Sequence, residues 1–170
     1  MSSNLDRARS YEEKVGKQIP DGQKCVFHLT PEVGWMNDPN GFSLYRGEYH
    51  LFYQYHPYSS VWGPMHWGHQ KTRDFIKWEQ LPCALAPDTE YDGQGCFSGS
   101  AVEHEGKHIL MYTGVLDRVE ADGSHTLRQT QCIAVGDGVN YEKLPANPVI
   151  TADALPEGSS GEDFRDPRIW

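Results

Sequence analysis

The chain has 170 residues, with 15 Lys and Arg against 24 Asp and Glu and a formal net charge of −9. That is enough for one domain with a real core, and the acidic balance argues against nucleic acid or an anionic membrane surface as a partner. No apolar run approaches the ~20 residues a membrane span needs, and the polar start MSSNLDRARSYEEKVGKQIP has nothing of a signal peptide, so a cytoplasmic setting is expected.

In chain order, residues 5–18 (LDRARSYEEKVGKQ) suit one helix with few apolar anchors, and residues 1–26 read as an N-terminal extension. After Pro20 the helical periodicity gives way to short strands separated by Gly, Pro, Asp and Asn clusters. The stretch GWMNDPNG (34–41) is a strong turn signal that holds Asp38 between two side-chain amides. The clearest strands are 49–55 (YHLFYQY), 108–114 (HILMYTG) and 130–136 (TQCIAVG). Aromatics make up 12% of residues, and the pattern as a whole is all-β. Cys25, Cys83, Cys96 and Cys132 are widely spaced with no Cys-x-x-Cys, so buried free thiols are expected.

An internal repeat organises these strands. RGEYHLFYQ (46–54) aligns with EGKHILMYT (105–113) at an offset of 59, and DFIKWEQLP (74–82) aligns with DGVNYEKLP (137–145) at an offset of 63. A third unit opens at DPRIW (166–170). Each unit reads as strand, Gly turn, apolar strand, loop, strand, Asp turn, aromatic strand and Leu-Pro. That is about four antiparallel strands per unit, the make-up of a propeller blade, with a sandwich of similar hairpins as the alternative. In a propeller the first strand of each blade lines the central channel. Asp38, Ser98 and Asp166 stand at the starts of successive units, so they would converge on one pocket.

Two carboxylates flanking an acetal are the equipment of glycoside hydrolysis. Asn37 and Asn40 are placed to hydrogen-bond Asp38 and keep it ionised, and Arg165 would do the same for Asp166. Taken alone, Asp38 is a turn former and Arg165–Asp166 a surface pair; their matched places in the repeat favour a shared site. Trp62 and Trp67 in YSSVWGPMHWGH (58–69) offer flat faces for sugar rings, with β-core packing as the alternative. Gln54, at a strand end, is placed to bond a hydroxyl or to serve as a strand-end amide. His66 and His69 have the spacing H-x-x-H but not on one face of a strand, which argues against zinc. CFSGSA (96–101) is not a nucleophilic serine motif, and GDG (136–138) is a hairpin turn.

The motifs GWMNDPNG (34–41), FYQYHPYSSVWGPMHWGH (52–69), DFIKWEQLPCALAPD (74–88), YDGQGCFSGSA (91–101), LMYTG (110–114) and FRDPRIW (164–170) together resemble glycoside hydrolase family 32, the β-fructofuranosidases. The resemblance implies a five-bladed β-propeller followed by a β-sandwich, with residues 27–170 as the N-terminal part of the propeller: about two blades and the first strand of a third. It implies retaining cleavage of β-fructosides such as sucrose, sucrose 6-phosphate or short fructans, with no metal or organic cofactor. Asp38 would be the nucleophile and Asp166 the transition-state stabiliser, acting with Arg165. Asn37, Gln54, Trp62, Phe97 and Ser98 would line the fructose subsite, with Trp67 near it.

The family's general acid/base lies in a Glu-Cys motif. Here the four cysteines follow Lys24, Pro82, Gly95 and Gln131, so no Glu-Cys is present. An N-terminal piece of a longer enzyme, inactive by itself, is therefore expected. A carbohydrate-binding relic and a fructosyltransferase are the alternatives. The expected partner is a small carbohydrate, not nucleic acid or a membrane, and the oligomeric state stays open.

Overall fold

The structure, a computed structural model, describes residues 3–25 and 27–170. Helix α1 spans Ser3–Gly16, two residues earlier at both ends than the sequence suggests. Its buried stripe of Leu5, Ala8, Glu12 and Gly16 has helical spacing but little apolar area. Polar clamps make up the difference. Arg9 donates from Nε to the Cys83 carbonyl at 2.9 Å, from Nη1 to Asn140 Oδ1 at 2.8 Å and from Nη2 to the Val139 carbonyl at 3.2 Å.

Eight strands follow. β1 (Trp35–Tyr45), β2 (Glu48–His56), β3 (His66–Thr72) and β4 (Glu79–Leu85) form one antiparallel sheet in sequence order. β5 (Gly95–His104), β6 (Lys107–Val119), β7 (His125–Gly136) and β8 (Tyr141–Lys143) form a second, with the same order and sense. The three strands read most clearly from the sequence lie within β2, β6 and β7. The first strands of the two sheets, β1 and β5, neighbour one another.

The repeat has a physical basis. The β1–β2 turn places Arg46 and Gly47 at φ 49° and 78°, and the β5–β6 turn places Glu105 and Gly106 at φ 50° and 74°. Two central residues with positive φ make the two-residue hairpin turn whose twist matches the strands, and glycine meets that demand most cheaply at the second position. Asp74 Oδ1 accepts from the Ile76 and Lys77 amides at 2.9 and 2.8 Å. Asp137 Oδ1 accepts from the Val139 and Asn140 amides at 2.9 and 2.8 Å. The aligned aspartates thus make the same turn in both sheets.

The third unit is a correction: among the described residues no strand follows β8. Residues 166–170 run beside β5, but through side chains rather than a ladder. Ser100 Oγ donates to the Pro167 carbonyl and accepts from the Ile169 amide, both at 2.9 Å. The thiols also differ in part, since Cys83, Cys96 and Cys132 are buried and free but Cys25 is exposed.

The sheets pack through Phe52, Trp67 and Leu85 of the first and Leu110, Tyr112 and Tyr141 of the second. Histidines thread this interface. Phe52 stacks on His69 at 4.1 Å and Tyr45 on His108 at 4.6 Å. His50 Nδ1 meets His69 Nε2 at 2.8 Å, and His108 sits between Ser43 Oγ at 2.8 Å and the Tyr141 hydroxyl at 2.7 Å. Burial, with repulsion from His50, drops His108 to about 3, and burial holds His50 and His69 below the usual histidine range. The imidazoles are packed neutral, so their contribution to stability is present above pH 6.5 and is lost on acidification.

At the outer rim, Lys143 Nζ of β8 reaches Asp88 Oδ1 and Asp92 Oδ2, each at 2.5 Å, and the Ala86 carbonyl at 2.7 Å. Asp92 is fully buried and also accepts from the Tyr112 hydroxyl and from the Asp88 and Thr89 amides. Lys143→Met would leave two carboxylates without their cation, at a cost of roughly 3–5 kcal/mol. Denaturant unfolding should read that loss; a cost under about 1 kcal/mol would show that the pair adds little.

Glu12 behaves oppositely to the histidines. Burial raises its carboxyl to about 7, against the pull of the Cys83 amide and Arg9, and Glu32 adds to the rise. Its Oε2 accepts from the Cys83 amide at 3.0 Å, while Oε1 has no partner among the described residues. The fold prefers the neutral acid, so this contribution is full below pH 4.5 and is lost as pH climbs to 7. Glu12→Gln should therefore raise stability by on the order of 3 kcal/mol at pH 8 and by little near pH 4.5. Thermal unfolding of both forms at the two pH values measures this; an equal difference at both would remove Glu12 as the titrating group.

Candidate active site

Asp38 and Ser98 are displayed by the same local device. In the β1–β2 ladder Asn37 pairs with Gln54 and Pro39 with Tyr53, so Asp38 is the extra residue of a β-bulge. In the β5–β6 ladder Phe97 pairs with Thr113 and Gly99 with Tyr112, so Ser98 is the extra residue there. A bulge leaves one residue outside the pairing and re-aims its side chain. Both bulges lie on the edge strands of their sheets, where Pro39, with no amide hydrogen to give, is tolerated. Asp38 is exposed and Ser98 half-buried.

The amides beside Asp38 are turned elsewhere. Asn37 Oδ1 accepts from Trp35 Nε1 at 2.8 Å, and Asn40 Nδ2 reaches Ser98 Oγ at 3.4 Å. The second contact ties β1 to β5. Asn40 is buried, and its Oδ1 has no partner among the described residues. Gly41 closes the motif at φ 56°, where a Cβ would meet Phe52 Cδ2 at 2.6 Å. That glycine lets the strand lie against the core.

The other site candidates fall into two groups. Gln54 and Trp67 are buried and serve the scaffold: Gln54 Nε2 donates to the Cys96 carbonyl at 3.0 Å, and Trp67 Nε1 donates to the Phe97 carbonyl at 3.1 Å. Both bonds run from the first sheet to β5 just before Ser98. Trp62 is 58% exposed and meets the half-buried Phe97 edge-on, with centroids 6.4 Å apart. It stands exposed beside β5.

Asp166 has φ 62°, left-handed for a residue that is not glycine. Its amide donates to Thr113 Oγ1 at 3.0 Å. Arg165 does not pair with it closely: Nη1 lies 2.8 Å from Asp163 Oδ1, whereas Nε is 3.8 Å from Asp166 Oδ2. His66 Nδ1 contacts the Pro64 carbonyl at 2.9 Å and His69 faces His50. Among the described residues no group of three or more His, Cys, Asp or Glu is placed to hold a metal.

Two contributors were not singled out from the sequence: Thr113 and Gln131. Thr113 had a usable signal, because it stands 59 residues after Gln54 in the aligned segments.

β1 thus displays an exposed carboxylate on its bulge, β5 a half-buried hydroxyl on the matched bulge, and Trp62 stands exposed against Phe97. Residues 28–170 match the model of the glycosyl hydrolases family 32 N-terminal domain, and the chain belongs to that family. It is 46% identical over 169 residues to a sucrose-6-phosphate hydrolase of Zymomonas mobilis, covering 98% of this chain and 32% of that protein. It is 42% identical to a raffinose invertase of Escherichia coli, covering 100% of this chain and 34% of the relative. A solved mutant β-fructofuranosidase of Bombyx mori in complex with sucrose superposes with a TM-score of 0.83 at 44% identity, covering 98% of this chain and 34% of that one. The chain thus spans about a third of the length of these relatives.

Proposed function

We propose that the protein carrying this chain hydrolyses terminal β-D-fructofuranosides, with sucrose, sucrose 6-phosphate or short fructans as substrates, by a retaining double displacement. Asp38 is the nucleophile. Its carboxylate attacks the anomeric carbon of fructose as the bond to the leaving oxygen breaks, giving a fructosyl ester. Water then attacks the same carbon and frees the carboxylate. Asp166, with Arg165, stabilises the transition state by hydrogen-bonding the fructose hydroxyls, and Trp62, Phe97, Ser98, Asn37, Gln54 and Trp67 form and back the fructose subsite.

The observation that carries this reading is the bulge at Asp38, which leaves an exposed carboxylate unpaired on an inner strand and is repeated at Ser98 on the next sheet. Membership of the family and relatives called sucrose-6-phosphate hydrolase and invertase support it. The two sheets are successive blades of a five-bladed propeller, residues 27–170 being its N-terminal part and residues 1–26 an N-terminal extension. The glutamate that protonates the leaving oxygen lies outside these 170 residues, since no Glu-Cys occurs in them. The protein acts in the cytoplasm.

General acid catalysis is typically worth about 10²–10⁴-fold, so the 170-residue chain alone is expected to release no measurable fructose from sucrose, while the full-length protein does. In the full-length protein Asp38→Asn should lower turnover by at least about 10³-fold, as loss of a covalent nucleophile does, with an unchanged circular-dichroism spectrum. A reducing-sugar assay reads both, and near-normal turnover by the Asn variant would remove Asp38 as nucleophile.

A further inference from the structure

The carboxylate of Asp166 has little of its own to hold it. Its side chain is exposed, and the nearest cation is Arg165 Nε at 3.8 Å. Its direction is therefore set by the backbone, which sits at φ 62°, a conformation that costs a non-glycine residue on the order of 1 kcal/mol. Such a conformation persists only where the surroundings hold it.

Two buried side chains do so. Thr113, fully buried in β6, accepts the Asp166 amide at Oγ1 at 3.0 Å. Its own hydroxyl proton has two acceptors in reach, the Ser98 carbonyl at 3.2 Å and Gln131 Oε1 at 3.3 Å. Gln131 in β7, also buried, donates from Nε2 to the Phe164 carbonyl at 2.7 Å, two residues before Asp166. The Gln131 main chain is pinned in turn to residues 149 and 150. One threonine hydroxyl thus joins the bulge at Ser98 to the corner at Asp166, and one glutamine amide holds the entry to that corner.

The repeat supplies an independent argument. Gln54 stands at the Thr113 position of the first unit, and its Nε2 donates to the Cys96 carbonyl at the start of the second. In both units the same ladder position sends a polar side chain to the main chain that opens the next.

We propose that Thr113, with Gln131 behind it, is the positioning residue for Asp166: its Oγ1 fixes the left-handed corner and thereby aims the carboxylate at the reacting sugar. This rests on the reading of Asp166 as transition-state stabiliser. A group that acts in the transition state and is mis-aimed by about an ångström costs on the order of 10²-fold in rate without weakening ground-state binding.

The test compares Thr113→Val, Thr113→Ser and Gln131→Met in the full-length protein, with kcat and KM on sucrose and the thermal unfolding midpoint measured for each. Valine keeps the shape and removes the acceptor. The expected result is a kcat lower by about 10²-fold for Thr113→Val, KM within about twofold and recovery of kcat in Thr113→Ser. Gln131→Met should give a smaller loss, also in kcat, and it decides the matter if the valine variant does not fold. Unchanged kcat in the variants that fold, a loss carried by KM, or a loss that serine does not restore would overturn the proposal. No fructose release by the unmodified protein would instead overturn the functional reading on which it rests.

Discussion

Everything at the candidate site depends on the two sheets meeting face to face through Phe52 and Trp67 on one side and Leu110 and Tyr112 on the other, all fully buried. Fully burying a side chain of this size contributes about 1.5–3 kcal/mol, and this packing brings the bulge of β1 beside the bulge of β5. The contacts between Asn40 and Ser98, Gln54 and Cys96, and Trp67 and Phe97 all cross that seam. Asn40, two residues after Asp38, meets Ser98 because of this packing and not because of sequence. The site is a property of the seam rather than of either sheet.

The seam is unusual in how much polarity it buries. His50, His69 and His108 lie buried within it, His69 stacked on Phe52, His108 stacked on Tyr45 and His50 edge-on to Tyr45. An imidazole packs like a flat aromatic ring yet carries two polar atoms, so it fills a core only where partners stand at fixed places. Ser43 and Tyr141 are such partners for His108, on opposite sides of the ring and from different sheets. Apolar packing alone would tolerate sliding of one sheet over the other; these bonds do not. The Lys143 cluster at the rim adds a second registration point, from β8 to the loop after β4.

Much of the architecture was legible in the sequence because the repeat writes the same demand twice. Gly47 and Gly106 answer one turn geometry, and Asp74 and Asp137 cap another. Where a demand occurs once, reading failed or drifted. The buried stripe of α1 contains Glu12 and Gly16, which no apolar pattern marks. Residues 166–170 share the composition of a unit's first strand but have no ladder, and composition does not report hydrogen bonds. The bulges were legible only as matched positions; that Asp38 and Ser98 stand outside the pairing appears once the register is known.

The residues of the site divide along the same line. Asp38 and Asp166 carry charge and sit in distinctive motifs, so chemistry alone draws attention to them. Gln54, Thr113 and Gln131 carry no charge and act on main-chain groups, so their motif context is ordinary. The bonds they make appear only in three dimensions, where each reaches the backbone beyond its own strand pair. The repeat makes the same use of one ladder position twice. Gln54 of the first sheet reaches the Cys96 carbonyl just before Ser98, and Thr113 of the second accepts the Asp166 amide. In both sheets a polar side chain at that position ties its own strand pair to the segment that follows it in the chain.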